Sequence, residues 1–553
     1  MPRTSQPRPI LQAFLLALIT FTVLHPSQSR AQTPSQSPQA VPTSGRLILV
    51  LPFENKSGQS ALSWIGDSFP DTLNQRLNSA GFLTITRDDL QFALDHLGLP
   101  VDFKPSRATT IRIAQTLDAD YVIVGSFNVT SSANNQTRIS VQSQLLEVNR
   151  LTLSNPLTDS SELSRLLDIE NAVAWKIARQ IDPHFNVALQ TFLAASTGVK
   201  LSSFENYIRG IDASAPQERI KRLQLAVQET PNYSAAILAL GKAQYIQRDY
   251  EHAAITLAKV PPTDRLALEA SFYRGLARFN AAKYAEAETA FAFVAARLPL
   301  PEVVNNQAVA ASRQGHDAVA LFQRASTADP NDADYHYNLS VSLLRRGDFA
   351  GAQREIDLAL KLHPNDTEAA SLRTRISAGR SSPSPPAGAT PATNTFEPLE
   401  RIRRTFSEAP FRQAAFQLDQ LRSARIATLP AAEQANHYVQ SGQEYLAQGL
   451  LPEAEQQFQT AITADGHNSA AHAGLARIRE LSASADEART EAQTSIRLKP
   501  NADAYLVLAR LDLKEEKLPA AASDVSNALH IEPKNSAALG MKQALQSRGQ
   551  SLP

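Results

Sequence analysis

Between Arg46 and Phe185 the apolar positions switch back and forth between a period of two and a period near 3.6. The run "RLILVLPF" predicts a buried strand, and Trp64 to Ala80 predicts a helix closed by a turn at Gly81. A second strand, "FLTITR", precedes a helix over Asp88 to Leu97, and Arg107 to Leu117 makes another helix. "ADYVIVGSFNVTSS" and "TRISVQSQLLEV" then alternate with period two across "ANNQ", which predicts a hairpin. Ser160 to Ile181, carrying Trp175, closes the unit as a helix. Strands and helices interleaved in this order predict an α/β domain with a mixed sheet over residues 46–185.

From about Val199 the pattern becomes helical and repeats. "ADYHYNLSVSLLRRGDFAGAQREIDLALKLHPND" from Ala333 can be laid on "ANHYVQSGQEYLAQGLLPEAEQQFQTAITADGHN" from Ala435, so that Gly347 answers Gly449, Ala352 answers Ala454 and Ala359 answers Ala461. The spacing gives two helices per unit, with glycine at the turn, small alanines where helices approach, and Pro364 or Gly466 stopping the second helix. This arrangement resembles the tetratricopeptide repeat, whose period is 34. The same register fits units beginning near 200, 234, 268, 301, 469 and 502, for about eight repeats, and the stretches around 396–430 and 536–550 read as caps. The resemblance implies an all-α superhelical solenoid in two arrays, 199–380 and 396–553.

Two segments lack any such pattern. Residues 32–45 are rich in proline, serine and glutamine and predict a disordered leader. Residues 381–395 lie in the proline-rich stretch "AGRSSPSPPAGATPATNT" and predict a linker between the arrays. Ahead of the leader stand two arginines, an apolar run from Ile10 to Leu24 and the small-residue site Ser29-Arg30-Ala31. That run is interrupted by Gln12 and falls short of the roughly 20 residues that span hydrocarbon, so residues 1–31 predict a secretory signal cleaved after Ala31.

Charge and cysteine usage narrow the function. The full 553 residues carry 54 basic and 54 acidic side chains, which offers no broad footprint for nucleic acid. Signal removal takes three arginines, leaving a net charge of −3. No cysteine is present for a disulfide or an acylated anchor, and with the signal this favours a bacterial periplasmic or secreted protein without a lipid anchor. Beyond the signal no transmembrane segment is predicted.

The opening stretch "LILVLPFENKSGQSALSWIGDSF" has the outline of a phosphate site without its chemistry. Lys56 precedes Gly58, and Gly66 is followed by Asp67, a carboxylate that would repel phosphate. Asn55 and Ser57 suit a turn, and Asp88 or Asp89 suits a helix cap beside Arg87. "VLPFENKSG", "WIGDSFPDTLNQRL", "TITRDDL" and "DADYVIVGSF" resemble the TolB-like domain found fused to bacterial cyclases and tetratricopeptide arrays, and more distantly the CsgG-type and FlgO-type envelope proteins. No catalytic residues come with that resemblance.

Elsewhere, "DPNDAD" lacks the glycine of a calcium loop, and His467 and His472 do not share a helical face. The sequence therefore predicts no catalytic residue, no metal and no cofactor. In tetratricopeptide repeats the first helix of each pair lines the concave groove. By that resemblance the lining is Asp334, Tyr337, Val341, Leu344 and Arg345; then Asn436, Val439, Gln443, Leu446 and Ala447; then Asp503, Leu506, Arg510, Leu513 and Lys514. Of the carboxylate-clamp pattern of chaperone-binding members only Asn338 matches. The expected function is a non-catalytic envelope scaffold that binds protein or peptide partners. Two other readings stay open: a periplasmic sensor whose α/β domain binds a small ligand near Asn55 to Gly66, and a component of outer-membrane assembly or export.

Overall fold

The computed structural model describes residues 47–100, 106–131, 137–381, 398–406 and 423–553. The predicted signal peptide, the leader, the "ANNQ" turn and nearly all of the 381–395 linker lie outside them.

Seven strands form one sheet: β1 (Leu47–Val50), β2 (Glu54–Asn55), β3 (Leu83–Thr84), β4 (Tyr121–Ser131), β5 (Thr137–Glu147), β6 (Thr152–Leu153) and β7 (Leu157–Glu162). Their order is β3-β1-β4-β5-β6, with β2 also on β4 and β7 also on β5. β1 runs parallel to β3 and β4 while β4 and β5 are antiparallel, so the sheet is mixed. Ile48 and Val50 share a core with Phe69 of α1 (Trp64–Ser79) and Val173 of α4 (Leu166–Ile181). Leu49 and Leu51 face the other way, onto Leu94 of α2 (Arg87–Leu97) and Ile113 of α3 (Arg107–Thr116). A strand buried on both faces needs apolar residues at every position, which is why "LILV" is unbroken.

The structure corrects two local expectations. Residues 157–162, partly read as helix, are strand β7 paired with β5, and the helix begins at Leu166. In "LTDSSE" Leu157 is the one apolar residue, so the pairing comes from the edge of β5 and leaves no periodic signal. Thr86, rather than an aspartate, caps α2: its hydroxyl accepts the Asp89 N–H at 3.1 Å, and Asp88 and Asp89 occupy the first turn.

Hydrogen bonds within the opening loop and to strand β4 hold it in place. Asn55 Oδ1 accepts from Ser57 N–H at 2.9 Å, and Lys56 N–H donates to Phe127 O at 2.8 Å. Gly66 lies inside α1, where Phe53 N–H donates to its carbonyl at 3.0 Å and an added Cβ would fall 2.3 Å from Phe53 O. Gly66→Ala is expected to destabilise by about 1–3 kcal/mol through overpacking against backbone that cannot give way. An unchanged thermal midpoint would show that this contact relaxes freely.

Helices then pair in sequence: α6 (Leu201–Asp212) with α7 (Pro216–Glu229), α8 (Ser234–Ile246) with α9 (Tyr250–Leu257), and α10 (Ala267–Asn280) with α11 (Tyr284–Ala295). α12 (Pro301–Arg313) with α13 (Val319–Ala328) and α14 (Ala333–Arg345) with α15 (Phe349–Leu362) follow, closed by α16 (Thr367–Ser381). The second series is α17 (Ala431–Ala447) with α18 (Leu451–Ala464), α19 (Ser469–Leu481) with α20 (Ala485–Leu498), α21 (Ala502–Lys514) with α22 (Leu518–Ile531), and then α23 (Ser536–Ser547). The repeated alanines Ala352, Ala454 and Ala521 are fully buried in these pairs.

In each of these pairs except α6 with α7 the turn holds one left-handed residue. Gly315, Gly347 and Gly449 supply it at φ +80°, +84° and +73°, but Arg248, Ala282, Ala483 and Glu516 adopt the same geometry at φ +58° to +62°. A non-glycine residue there carries a steric cost of roughly 1–2 kcal/mol. Glu516 is exposed, so Glu516→Gly is expected to stabilise by about 1 kcal/mol, read as a higher denaturant midpoint. A lower midpoint would mean that lost chain entropy outweighs the relief.

The core does not stop at the end of the α/β domain. One cluster runs from the sheet through Phe192 of α5 (Leu189–Leu193) to Phe204, Leu223 and Ala236 of the first helix pairs. The second array returns to the same place, where Glu455 of α18 accepts the Ala188 N–H at 3.0 Å.

Candidate partner-binding groove

Residues 398–406, "PLERIRRTF", form a strap against the first helices of the first array. Asn305 on α12 and Asn338 on α14 lie 33 residues apart, one repeat, so stacking brings their amides together: Asn338 Nδ2 donates to Asn305 Oδ1 at 2.8 Å. The pair then meets the strap. Arg401 N–H donates to Asn338 Oδ1 at 2.7 Å, and Arg401 O accepts from Asn338 Nδ2 at 2.7 Å and from Asn305 Nδ2 at 3.1 Å. Two residues on, Arg403 N–H donates to Asn306 Oδ1 at 2.8 Å and its carbonyl accepts from Asn306 Nδ2 at 2.7 Å. Side-chain amides thus satisfy alternate residues of an extended chain, as a neighbouring strand would. Backbone groups are read this way whatever side chains they carry.

Side-chain pockets add the selectivity. The Arg401 guanidinium lies 3.9 Å above the Tyr337 ring and bonds Asp334 at 2.8 Å, Glu368 at 2.9 Å and both oxygens of Asp366 at 2.6 and 2.9 Å. Those bonds hold the Asp366 carboxyl below its usual range. Arg403 pairs with Asp334 at 3.0 Å and with Asp332, whose pKa burial nonetheless pushes up. Glu400 shows the opposite polarity: its fully buried carboxylate contacts Ser312 and Arg345, with Arg313 Nε at 3.6 Å. Ile402 touches two of the array's apolar clusters, and the Phe406 ring sits 5.3 Å from Phe272.

Of the residues expected to line a groove, Asp334, Tyr337 and Arg345 therefore stand around the strap, with Arg345 Nη2 also donating to Pro398 O at 3.1 Å. Val341 is wholly buried and Leu344 partly so, both in the core between helices. In the second array Asn436 bonds Asn468 at 3.0 Å, and Arg510 pairs with both oxygens of Glu480 at 2.7 and 2.9 Å. Val439, Leu446, Leu506 and Leu513 sit in or against apolar clusters, whereas Gln443, Asp503 and Lys514 are exposed. Sequence reasoning missed Asn305 and Asn306, although two adjacent asparagines on a helix one repeat before Asn338 were a readable signal. It also missed the strap itself, which fell within a stretch read as a cap.

Among the described residues no group of three or more His, Asp or Glu is placed to hold a metal ion. Nor is any helix among them long and apolar enough to cross a membrane. Residues 310–376 and 439–503 each match a tetratricopeptide-repeat family model. The helical part is a tetratricopeptide-like array. Both matches fall on the helix pairs whose turns and buried alanines recur, one in each array.

No curated protein matches the chain. Among solved structures, MamA from Desulfovibrio magneticus is 18% identical over 33% of this chain and 99% of its own, with a TM-score of 0.27. YrrB, described as a tetratricopeptide protein with an unusual peptide-binding site, is 14% identical over 36% of this chain and 98% of its own, with a TM-score of 0.28. The C-terminal domain of LpoB from Escherichia coli is 26% identical over 22% of this chain and 84% of its own, with a TM-score of 0.19. At these scores the likeness says nothing about function.

Proposed function

We propose that the protein is a non-catalytic scaffold of the bacterial cell envelope, secreted by its N-terminal signal, whose first repeat array grips an extended segment of a partner protein. The α/β domain, TolB-like in its motifs, is the base on which the arrays are mounted. One observation carries the groove: Asn305, Asn306 and Asn338 bond the N–H and C=O groups of an extended segment at alternate residues. Amides used in that way leave recognition open to a foreign chain.

Two of these asparagines supply four backbone hydrogen bonds, each worth about 0.5–1.5 kcal/mol. Full-length protein should retain a defined envelope protein from extract, and the Asn306→Ala/Asn338→Ala variant should bind it at least about 30-fold more weakly. Equal retention by both would move the binding surface away from this groove. For localisation, intact mass of the chain recovered from bacteria should place the N-terminus at Gln32; an intact Met1 in the periplasmic fraction would refute cleavage.

A further inference from the structure

We infer that residues 398–406 are an internal copy of the partner's binding segment: the groove takes an extended protein segment of pattern Glu-Arg-apolar-Arg, and the partner enters by displacing the strap. This deepens the proposed function and rests on its reading of the groove. The partner's chemistry follows from charge complementarity. Four carboxylates, from Asp332, Asp334, Asp366 and Glu368, surround the two guanidinium sites two residues apart. Arg345 and Ser312 surround the one carboxylate site that precedes them. An aromatic face beneath the first arginine favours guanidinium over ammonium, since a planar cation can stack and fork at once.

The strap is held in a way that permits exchange. Its contacts with the array are chiefly hydrogen bonds and ion pairs, which a segment of like pattern reproduces one for one. Leu399 is 50% exposed, and Arg404 and Thr405 face outward. Ile402 and Phe406 border clusters that the helices complete among themselves, such as Val341 with Ile356 and Leu372, and Phe272 with Leu276 and Phe291. The repeats therefore keep their cores when the strap leaves.

A tethered competitor also sets the threshold for entry. It acts at an effective concentration on the order of 1 mM, so a free copy of the segment binds the closed chain with an apparent Kd near that value however tight the groove is. Only a partner with additional contacts, or one locally concentrated, opens it.

The probe is a labelled peptide of residues 398–406, titrated by fluorescence anisotropy into the full-length chain. Wild type should bind at about 1 mM or weaker, R401E/R403E at least tenfold tighter, and R401A in between. A peptide with glutamate at both arginine positions should bind none of the three. R401A guards against misfolding of the double variant, because it removes one side chain and no backbone contact. Equal affinity for wild type and both variants overturns the inference while leaving the groove a receptor. No binding to any chain at millimolar peptide overturns the inference as well. Loss of partner capture on Asn306→Ala/Asn338→Ala is a separate readout, so the broader reading stands or falls independently.

Discussion

Replacing Arg479 by alanine is expected to cost the folded chain about 3–5 kcal/mol and to loosen the second array from the α/β domain. Arg479 on α19 donates to Glu455 on α18 at 2.8 Å, and the Glu455 side chain is completely buried. That carboxylate also accepts from Ala188 N–H at 3.0 Å, from Gln459 at 2.9 Å and from the Thr191 hydroxyl. It is the polar centre of the seam between α5 and the second array. Without Arg479 a buried negative charge keeps its other hydrogen bonds but loses its cation and that cation's N–H donor, and desolvation is no longer offset. Arg479 also reaches Glu487 at 2.9 Å, but that residue is exposed, so the lost outer pair contributes little. Glu455→Gln/Arg479→Met removes both charges, keeps the shape and one acceptor oxygen for Ala188 N–H and Gln459, and offers an N–H that the Thr191 hydroxyl oxygen can accept, so it should recover a large part of the loss. The two changes are then strongly non-additive. Chemical denaturation measures both; if the double variant is as unstable as the single one, charge burial is not what holds the seam.

How much of this was legible in the sequence depends on whether a residue answers to its own helix or to a distant one. The repeats were readable because each alanine and turn residue recurs at a fixed interval, and the buried Ala352, Ala454 and Ala521 are the structural meaning of that interval. Strand β1 was readable because burial on both faces leaves a continuous apolar run. Strand β7 was not, since its residues are half-exposed and only pairing with β5 makes them a strand. The turn glycines were a partial signal: the left-handed position exists in every pair whose turn includes Arg248, Ala282, Ala483 or Glu516, and there the fold overrides local preference.

The groove shows the same division. Asp334, Tyr337 and Arg345 were placed on one face by the resemblance to tetratricopeptide repeats. The strap they contact could not be placed, because Arg401, for example, lies 67 positions from Asp334 and local patterning carries no record of that pairing. Glu455 and Thr191 are 264 residues apart, and the seam they make was likewise invisible. Contacts that tie one array to the strap and the other to the α/β domain are therefore the part of the molecule that only the structure supplies. They are also where substitutions should have their largest consequences, since each rests on a few polar groups and no repeat duplicates it.

A third such contact predicts a pH dependence. Glu170 on α4 is fully buried against α1, and burial pushes its carboxyl from 4.5 up to about 8, against the opposing effect of a hydrogen bond with Ser68. A protonated Glu170 can donate to Ser68 Oγ, which leaves the Ser68 hydrogen for Ile65 O at 2.8 Å. In the unfolded chain the same carboxyl ionises near 4.5. Its stabilising contribution is thus complete below about pH 4.5 and is lost as pH rises toward 8, at about 1.4 kcal/mol per pH unit. Across the window the loss is on the order of 3–5 kcal/mol. Asp71 on α1, which accepts from Tyr207 of α6 at 3.1 Å, is raised by burial to about 6 and acts in the same direction over a lower range. Glu170→Gln keeps the shape and a donor toward Ser68 but cannot ionise, so it removes only the Glu170 part. The stability difference between Glu170→Gln and wild type should therefore be roughly constant below pH 4.5, grow in favour of the variant up to about pH 8, and level off above it. Denaturant midpoints from pH 4 to 9 decide the matter: a flat difference across that range would mean that Glu170 is already ionised in the folded chain and that burial at the α1 and α4 contact does not control its proton.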